Sequence, residues 1–557
     1  MGWSLNMQRG FTCGFLQSTS FPSAPIFKGT RCLCVSTLRA ELGMRADEEV
    51  NTAKDLLQSV AFVLQPPQVE PLEYGQWRVW NKGEHGIMDQ HIPDYAWKVL
   101  RRLRERGHGT YLVGGSVRDL LLKKVPKDFD LITTAQLNQV RKGFPRAWIV
   151  GKRFPICNVH IGEKIVEVSS FETNVKGRKN SESLYGMRGV FESKATSSYL
   201  IDFHSDRTLW ENSMKRDFTI NGLFYDPFKE ILYDYLGGVE DLRKKRVRTV
   251  LPAHLSFSED SARILRALRI AGRLGFKFSR ETALAIKSLS TLISNLSNER
   301  LRLEAKYLMG YGAAERSVRL LWRFGMLEIL FPHQASYFAE ARFKRLDKGS
   351  NMLLKLLVNL DKLLSPSKPC HCCLWVNILA LHLALHRNPE SPVVISALAL
   401  AIRGIRIDLA VQKAVRLYGK YGDSIEDFPE LDTNFLNISK SEIRRRVLQF
   451  CKNVEHALKL MVSVDSNASP MHMYTGAPSS EVVIITKAEK EMCMTLYQKV
   501  LSGKQRSDTA ELVKRKVIDR EALEKGTTEE ISLVLSHILL STLYPDAAKT
   551  KTKEKSV

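Results

Sequence analysis

The segment from Tyr111 to Asp130 constrains the fold of this chain more than any other part of its sequence. It reads YLVGGSVRDLLLKKVPKDFD, which is a short apolar strand, a Gly-Gly turn, a short helix and two aspartates separated by one residue. Alternate residues of an extended strand point to the same side. The pattern therefore predicts that Asp128 and Asp130 present their carboxylates at one place, with Phe129 buried behind them.

Two carboxylates at one place are suitable ligands for Mg²⁺ when substrate phosphates complete its coordination. A Gly-Gly turn at the start of a helix, here Gly114 and Gly115, offers backbone N–H groups to phosphate oxygens. Each feature alone is common on solvated loops, but their spacing, with Arg118 and Asp119 between them, favours a shared role. Together they predict metal-dependent nucleotidyl transfer.

The composition indicates a large, basic chain. Its 557 residues suffice for about two to four domains, and 44% of them are hydrophobic. The 83 Lys and Arg exceed the 60 Asp and Glu by 23 charges, which indicates a polyanionic partner, nucleic acid first and a membrane surface second. We see no apolar run of about 18 residues and therefore expect no membrane span. Nine cysteines without a paired framework suit a reducing compartment.

The sequence CHCC at residues 370–373, with His382 and His386 downstream, suggests a zinc site at first sight. Adjacent cysteines do not easily ligate one tetrahedral ion, however, and a matching second Cys-x₂-Cys pair is missing. We therefore expect an ordinary buried helix, because apolar residues surround the cluster at helical spacing: Leu374, Trp375, Ile378 and Leu379.

The first 40 residues contain no Asp or Glu and nine Ser or Thr. Their basic residues are Arg9, Lys28, Arg31 and Arg39. This composition is typical of an organelle transit peptide, for a mitochondrion or a plastid, and a disordered cytosolic tail is the alternative.

The pattern along the chain predicts an α/β head with a small mixed sheet, followed by an all-helical neck and body. Predicted strands are Tyr111–Val113, Phe129–Ile132, Trp148–Val150, Ile156–Ile161, Ile165–Phe171 and Ile231–Tyr235. Predicted helices include Ala53–Leu64, Ala135–Lys142 and Arg216–Leu223, and 173–198 is expected to be a loop. The predicted divisions are a transit peptide (1–45), a linker (46–90), the head (91–250), the neck (251–332), the body (333–545) and a disordered basic tail (546–557).

Two further segments could complete a site near the aspartates. Lys152 and Arg153 follow a strand, where they could hold a triphosphate or an RNA phosphate, or form a solvated basic turn. Glu167 lies between Val166 and Val168 in a strand and so faces the other side. It is either a third carboxylate of the site or a solvent-facing side chain, and its spacing does not separate the two.

In the predicted helix Arg216–Leu223, Asp217 and Asn221 are four residues apart and share a face. They could bind ribose hydroxyls, Asp217 could approach the metals, and Arg216 could reach a phosphate. The alternative is a solvated polar helix face.

Ser258 is a plausible N-cap of the next helix, with Glu259 and Asp260 in its first turn. Asp260 and Arg263 then face the same way, one accepting and one donating hydrogen bonds. This pair matches the edge of adenine or cytosine and rejects guanine and uracil. The alternative is a capped helix with a surface ion pair.

These segments occur in a specific order from Tyr111 to Pro332. The order is LVGGxVRD, DxD, RDFTxN, then Asp234 with Gly237-Gly238 and Asp241-Leu242, and finally EDxxRxxR. This set resembles the class II nucleotidyltransferases of the polymerase-β-like superfamily, which are bacterial-type poly(A) polymerases and CCA-adding tRNA nucleotidyltransferases.

The resemblance implies roles for individual residues. Asp128 and Asp130 would bind two Mg²⁺ ions, and Asp217 is counted as an active-site carboxylate in the poly(A) polymerases. The implied nucleotide-binding residues are Gly114, Gly115 and Arg118 at the triphosphate, Arg216, Asp217 and Asn221 at the sugar, and Asp260 and Arg263 at the base, supported by Glu259 and Arg266. RNA would lie across basic surfaces.

The segment GKRF after the DxD, and the segment Glu304–Gly312, resemble the bacterial poly(A) polymerase branch. This favours addition of AMP from ATP to RNA 3′ ends over CCA addition to tRNA. Two departures stand against that branch: Asn158 replaces a usual His, and Glu172 stands where the family often has an Arg. A catalytically weak RNA-binding protein on the same fold is the second alternative.

Overall fold

The computed structural model describes residues 77–151, 155–171, 199–432, 438–468, 482–503 and 517–546, without the side chains of 199–205 and 467–468. Several predictions from the sequence fall outside these residues: the transit peptide 1–45, the helix Ala53–Leu64, the loop 173–198 and nearly all of the tail 546–557. They remain predictions.

The head contains a mixed sheet of eight strands in the order β1-β8-β7-β2-β3-β6-β5-β4. β3 and β6 run parallel, and all other neighbours in this sheet are antiparallel. The strands are β1 (Arg78–Asn81), β2 (Thr110–Val113), β3 (Asp130–Thr133), β4 (Ala147–Val150), β5 (Ile156–Ile161), β6 (Lys164–Ser170), β7 (Phe224–Asp226) and β8 (Ile231–Asp234). The predicted mixed sheet is confirmed, with small shifts at the strand ends.

The first strand corrects one boundary. β1 lies inside the segment 46–90 that was predicted to be a linker, and it pairs with β8 from Arg78 opposite Asp234 to Asn81 opposite Ile231. In β1 only Trp80 is half-buried and the other three residues are exposed, so the segment shows little of the apolar and polar alternation that predicts a strand. The head therefore begins before residue 91.

Helix α2 covers one face of the sheet. It packs against β2 and β6 through Ala96, Val99, Leu100 and Leu103, which recur at helical spacing and are buried. The helices of the head are α1 (Lys82–His85), α2 (Asp94–Glu105), α3 (Gly115–Leu121), α4 (Leu137–Gly143), α5 (Tyr199–Met214) and α6 (Gly238–Arg243).

The helix predicted at Arg216–Leu223 is wrong. α5 ends at Met214, and only Thr219–Asn221 forms a short 3₁₀ turn. Phe218 pairs with Thr249 in an isolated antiparallel bridge, Thr219 N–H donates to Arg248 O, and Val250 N–H donates to Asp217 O. These long-range partners occupy the backbone groups that a helix would use.

The expected N-cap at Ser258 is also wrong. Ser258 lies inside α7, which ends at Glu259, and the next helix α8 begins at Ala262. Asp260 has an extended backbone between the two helices, and its carboxylate accepts the N–H of Ala262 at 3.1 Å. Asp260 therefore does accept a backbone N–H at the start of a helix, but it lies at a break between α7 and α8 and not inside one helix.

The neck consists of helices with one small exception, a parallel pair of two-residue strands, β9 (Arg246–Val247) and β10 (Lys277–Phe278). Its α-helices are α7 (Ala253–Glu259), α8 (Ala262–Leu274), α9 (Arg280–Leu289), α10 (Asn298–Met309), α11 (Ala314–Arg323) and α12 (Leu327–Leu330). α8 presents an apolar face to the core, and its arginines lie on the opposite side.

The body is helical in the described residues, as predicted. Its helices are α13 (Pro332–Glu340), α14 (Met352–Leu363), α15 (Cys372–Arg387), α16 (Pro392–Ile402), α17 (Ile407–Tyr421), α18 (Lys440–Leu460), α19 (Val464–Ala468), α20 (Lys487–Leu501), α21 (Arg520–Lys525) and α22 (Thr528–Leu543). α15 is buried from Cys372 to Leu385, which confirms the expected buried helix. Among the described helices, none has the length and apolarity that a membrane crossing requires. The divisions at 250 and 332 remain predictions.

Candidate active site

A row of polar side chains crosses three neighbouring strands of the head. Asp130 on β3 is paired in register with Glu167 on β6, and Glu167 is paired with Asn158 on β5. Residues paired in this way lie on the same face of a sheet. Because Val166 and Val168 are fully buried on the opposite face, Glu167 points away from that core, which supports its assignment to the site.

Asp128 lies just before β3, close to the row. Phe129 is 3% exposed between the two aspartates, as the alternating pattern predicted. The Asp128 side chain is 68% exposed, and Lys127 Nζ lies 3.9 Å from its Oδ2. Asp130 is thus the enclosed carboxylate of the pair, and Asp128 is the accessible one.

The electrostatics of the row indicate a cation site. Burial raises the pKa of Asp130 to about 6, the nearby Glu167 and Asp128 act in the same direction, and Arg216 opposes them. Burial and then the charge of Asp128 also raise the pKa of Glu167. Three carboxylates that repel one another would be relieved by a divalent cation. Oxygen donors on an accessible face fit Mg²⁺, with Asp128 and Asp130 as ligands and Glu167 as a third candidate.

One ion pair and two hydrogen bonds connect Asp217 to two arginines from separate helices. Arg266 Nε on α8 lies 2.7 Å from Asp217 Oδ2. Asn221 Nδ2 donates to Asp217 Oδ1 at 3.0 Å, and Arg118 Nη1 on α3 donates to Asn221 Oδ1 at 2.8 Å. The structure therefore brings Asp217 and Asn221 together, although through a 3₁₀ turn and not through the predicted helix.

Arg216 supplies positive charge beside these carboxylates. Burial lowers the pKa of its guanidinium, while Asp217 and Asp130 raise it. Its Nη2 donates to Asn212 Oδ1 at 3.2 Å. Arg216 is therefore a fixed counter-charge to Asp130 in this structure, and its predicted contact with a nucleotide remains a prediction.

The Gly-Gly turn begins beside the enclosed aspartate. Gly114 has φ +71°, a left-handed conformation that glycine adopts without strain, and a Cβ there would lie 3.9 Å from Asp130 Oδ2. Gly115 starts α3, and the Ser116 hydroxyl holds the turn by donating to Val113 O at 2.9 Å. A phosphate bound near Asp130 would therefore lie next to this turn.

The predicted base-reading residues are neighbours, but they do not share a helix face. Asp260 precedes α8, whereas Arg263 lies within it. Arg263 Nη1 donates to Ser256 Oγ at 3.0 Å and to Glu259 Oε2 at 3.4 Å. Their role at the base stays a prediction. Lys152, Arg153 and Glu172 lie outside the described residues.

Sequence reasoning missed a cluster of cations and tyrosines next to Asp128. We call Lys127, Arg269, Arg273, Tyr307 and Tyr311 the arginine–tyrosine cluster. Arg269 Cζ lies 4.8 Å from the ring centre of Tyr307, Arg273 Cζ lies 4.4 Å from that of Tyr311, and Lys127 Nζ lies 5.2 Å from that of Tyr311. Cations over aromatic faces are attracted to them. The signal available in the sequence was spacing, because Arg269 and Arg273 are four residues apart and so are Tyr307 and Tyr311.

A buried carboxylate holds one end of this cluster. Glu304 is 2% exposed, and its oxygens lie 3.3 Å from Arg269 Nε and 3.7 Å from Arg300 Nε. Burial, and then the charge of the neighbouring Arg269, lower the pKa of Arg273 to about 10. Crowded cations of this kind favour an anionic ligand such as a phosphate.

Comparison with known proteins agrees with this geometry. Residues 110–248 match the family model described as the poly A polymerase head domain, and residues 275–338 match the model described as a probable RNA- and SrmB-binding site of polymerase A. Together these matches cover strands β2–β8, the carboxylates Asp128, Asp130 and Glu167, and the arginine–tyrosine cluster apart from Arg269 and Arg273.

Curated relatives fall into two groups. Poly(A) polymerase I of Escherichia coli O6:H1 is 36% identical over 276 residues, which are 49% of this chain and 57% of that protein. The CCA-adding enzyme of Geobacillus stearothermophilus is 33% identical over 234 residues, 42% of this chain and 53% of that protein. The chain thus spans just over half the length of these relatives.

A solved structure of the Bacillus stearothermophilus CCA-adding enzyme in complex with CTP aligns with 77% of this chain and 98% of its own, at 21% identity and a TM-score of 0.38. A TM-score this low supports no functional argument. The comparison therefore depends on the sequence matches to the two family models and to both groups of enzymes. Residues 110–248 and 275–338 are therefore similar to the head and RNA-binding regions of poly(A) polymerases, and about half of the chain is similar in sequence to both poly(A) polymerase I and CCA-adding enzymes.

Proposed function

We propose that this protein transfers AMP from ATP to RNA 3′ ends without a nucleic-acid template. The observation that carries the proposal is the acidic row: Asp130 and Glu167 in register, with Asp128 beside them and Arg216 as counter-charge. Such a set of carboxylates suits two Mg²⁺ ions that bind a triphosphate. A protein that only binds RNA has no evident use for anions at this position.

The residues of the chain would position both substrates. Asp128 and Asp130 would hold the metal ions, which activate the RNA 3′ hydroxyl and neutralise the triphosphate when bound. Arg118, fixed through Asn221, and Arg266, fixed through Asp217, face a common network and are suited to orient the nucleotide. The 3′ oxygen then attacks the α-phosphorus in line, and pyrophosphate leaves with the electrons of the broken P–O bond.

The arginine–tyrosine cluster is suited to hold the RNA. Arginine side chains bind phosphates, and tyrosine rings stack on unpaired bases. The cluster lies next to the acidic row, because Lys127 contacts both Tyr311 and Asp128. An RNA 3′ end on this surface would be placed near the accessible carboxylate.

CCA addition to tRNA is the second candidate. It is favoured by the similarity to CCA-adding enzymes. The pair Asp260 and Arg263 permits it without favouring it, because their hydrogen-bonding groups match cytosine as well as adenine. We prefer poly(A) addition because the poly(A) polymerase I of Escherichia coli is 36% identical over 276 residues, against 33% over 234 residues for the CCA-adding enzyme of Geobacillus stearothermophilus.

One assay separates the candidates. The full-length protein is incubated with Mg²⁺ and either a generic RNA with a free 3′ end or a tRNA that lacks its CCA, with ATP, CTP or both. A growing ladder on the generic RNA with ATP alone supports poly(A) addition. Addition of two C and one A to the tRNA alone establishes CCA addition instead. RNA binding without any addition would indicate the catalytically weak alternative.

We also propose that residues 1–45 direct the protein to a mitochondrion or a plastid, because the first 40 of them are basic, rich in Ser and Thr and free of acidic residues. Fusion of this segment to a fluorescent protein tests the proposal. Organellar fluorescence that is lost when Arg31 and Arg39 are replaced by Glu supports it, and diffuse cytosolic fluorescence contradicts it.

A further inference from the structure

The edge strand β4 carries an exposed aromatic side chain on the sheet face of the acidic row. Trp148 is paired in register with Asn158 and Asn158 with Glu167, so the row that starts at Asp130 ends at Trp148. The Trp148 residue is 50% exposed, and its ring meets that of His160 edge-on, with the ring centres 4.7 Å apart. Three strand spacings, about 14 Å, separate Trp148 from Asp130. One RNA strand could therefore contact both.

A group of cations lies on the opposite face of the sheet, at the ends of two helices. α2 and α4 pack against β6 on the core side, which is opposite to Glu167. The cations are exposed at the end of α2 and in the last turn of α4, and we call them the rear cations: Arg102, Arg106, Arg141 and Lys142.

The rear cations form one surface, because the end of α4 contacts both arginines of α2. Arg102 Cζ lies 5.5 Å from the ring centre of Phe144. A Cβ at Gly143, the last residue of α4, would lie 2.9 Å from Arg106 Nη1. A guanidinium that stacks on a ring keeps its N–H groups available for a phosphate. The Arg102 side chain is thus held in place without a carboxylate.

The charge of this surface is not balanced by nearby acidic residues. The segments 94–106 and 137–148 contain eight Lys and Arg and two acidic residues, Asp94 and Glu105. In the part of the chain that the structure describes, none of the rear cations forms an ion pair. Cations at helix ends also interact favourably with the helix dipole, but that effect does not require cations from two helices to meet. The excess of positive charge therefore favours a polyanionic ligand.

Arg146 connects the two sides of the sheet edge. It precedes β4, and its carbonyl oxygen accepts the N–H of His160 at 2.8 Å, which extends the pairing of the strands by one residue. Alternate residues of a strand point to the same side, so the exposed Arg146 and Trp148 are neighbours along the edge. Gly143, at the end of α4, is only three residues before Arg146. Exposed basic and aromatic side chains are thus continuous around the edge strand.

We propose that single-stranded RNA follows this edge, from the acidic row past Trp148 and Arg146 to the rear cations. This track rests on the proposed function, which supplies both the ligand and the position of its 3′ end. Stacking of a base on an exposed ring and contacts of phosphates with arginines are the interactions by which proteins bind single strands without sequence preference. A flexible strand can bend around the edge of a sheet, whereas a flat lipid surface cannot contact both of its faces. The rear cations should therefore matter for long RNAs and not for the shortest ones.

RNA binding by the full-length protein, measured by fluorescence anisotropy without ATP, tests the track. Two unstructured RNAs are compared, one of about 5 nucleotides, near the lower limit of a single-strand site, and one of about 30, beyond its upper limit. For the variant Arg102→Gln/Arg141→Gln we expect the affinity for the long RNA to fall on the order of tenfold. The slope of log affinity against log salt should fall by about 1.4, because each lost phosphate contact removes about 0.7. The affinity for the short RNA should stay within about twofold of the wild type.

Arg444→Gln/Arg445→Gln is the matched control, since it removes the same charge from α18, where the two side chains are paired with Asp408 and Glu442. It should bind both RNAs as the wild type does. Equal affinity of the wild type and the Arg102→Gln/Arg141→Gln variant for the long RNA would overturn the track. If that variant instead lost only its binding to phosphatidylserine vesicles, the surface would belong to a lipid and the track would again be wrong.

Crosslinking of the wild-type protein decides the question if the Arg102→Gln/Arg141→Gln variant fails to fold. The long RNA carries thiouridine in place of uridine, and the peptides that become attached to it under near-ultraviolet light are identified by mass spectrometry. Crosslinks within residues 141–148 support the track, and their absence throughout residues 95–160 overturns it. Neither measurement uses nucleotide addition. An inactive wild type would therefore contradict the proposed function alone, and normal addition without RNA at this edge would contradict the track alone.

Discussion

At the scale of single residues, the sequence predicts contacts between residues that are close in the chain and does not predict contacts between residues that are distant in it. The spacing of Asp128 and Asp130 predicts their common location because a strand alternates its faces. Glu167 remained ambiguous because its partner across the sheet is set by register, which its own neighbours do not encode. The ion pair between Asp217 and Arg266 had no sequence signal at all, since it joins a 3₁₀ segment to a separate helix.

The enclosed aspartate gives the most direct test of chemistry. Asp130→Asn keeps the size of the side chain and removes its charge, so the site should bind Mg²⁺ poorly. We expect nucleotide addition to fall by about a thousandfold or more, which corresponds to about 4 kcal/mol of transition-state stabilisation. RNA binding, measured by fluorescence anisotropy, should change less than about twofold.

Glu163→Gln is the matched control, because Glu163 lies exposed in the turn between β5 and β6 and carries the same change of charge. Its activity should equal that of the wild type. An Asp130→Asn variant that retains substantial addition would show that the metal site has been misassigned.

The raised pKa of Asp130 also predicts how pH affects metal use. The carboxylate must be ionised to bind Mg²⁺, and with a pKa of about 6 it becomes protonated as pH falls from 7.5 to 5.5. Protons and Mg²⁺ then compete, so the Mg²⁺ concentration for half-maximal rate should rise several-fold over this range. Excess Mg²⁺ should restore the rate. A half-maximal concentration that does not change with pH would contradict this assignment.

At the scale of elements, helix propensity does not determine the conformation of a segment whose backbone groups are hydrogen-bonded to residues distant in the sequence. The stretch Arg216–Leu223 has a helical pattern, yet Phe218 and Thr219 bind the strand-like segment near Thr249. The same bridge holds Asp217 and Asn221 where Arg266 and Arg118 meet them. A helix here would have lost these partners, so tertiary structure determines the local conformation.

A close approach between elements supports this turn. A Cβ on Gly238, in the first turn of α6, would lie 2.4 Å from Thr219 O, in the 3₁₀ turn that carries Asn221. Gly238→Ala should therefore push the turn away and destabilise the protein by about 1–3 kcal/mol. It should also reduce activity, because Asn221 links Asp217 to Arg118. Thermal unfolding and the nucleotide-addition assay measure the two effects.

Gly83→Ala provides the comparison, since a Cβ at Gly83 in α1 meets nothing within 4 Å and its backbone is helical. We expect its stability to stay within about 1 kcal/mol of the wild type. Equal shifts in melting temperature for the two variants would show that the contact between Gly238 and Thr219 is unimportant.

The arginine–tyrosine cluster makes a prediction for the neck. Tyr311→Ala removes a ring that Arg273 and Lys127 hold beside Asp128, and loss of one stacked base is worth about 1–3 kcal/mol. RNA affinity should therefore fall about five- to a hundredfold, while Tyr311→Phe, which keeps the ring, should bind nearly as the wild type does. Equal weakening by both variants would favour a hydrogen bond of the hydroxyl over stacking.

At the scale of the whole molecule, composition and periodicity predicted a sheet-based head followed by helices, because both depend on patterns repeated over many residues. They did not predict which helices of the body meet. Cys372 and Glu489 are brought together by the packing of α15 against α20, and such contacts between helices depend on the complementarity of complete surfaces. The same limit explains why the arginine–tyrosine cluster emerged only from the structure.

The net charge of +23 leads to a prediction about the complete protein. If RNA lies on basic surfaces, each phosphate contact releases counterions and contributes about 0.7 to the slope of log affinity against log salt. With about five contacts, affinity should fall about a hundredfold between 50 and 200 mM KCl, as measured by anisotropy. Arg273→Gln should reduce the slope by about one contact, whereas Tyr311→Ala should lower affinity at every salt concentration without changing the slope. A flat response in the wild type would show that stacking, and not charge, retains the RNA.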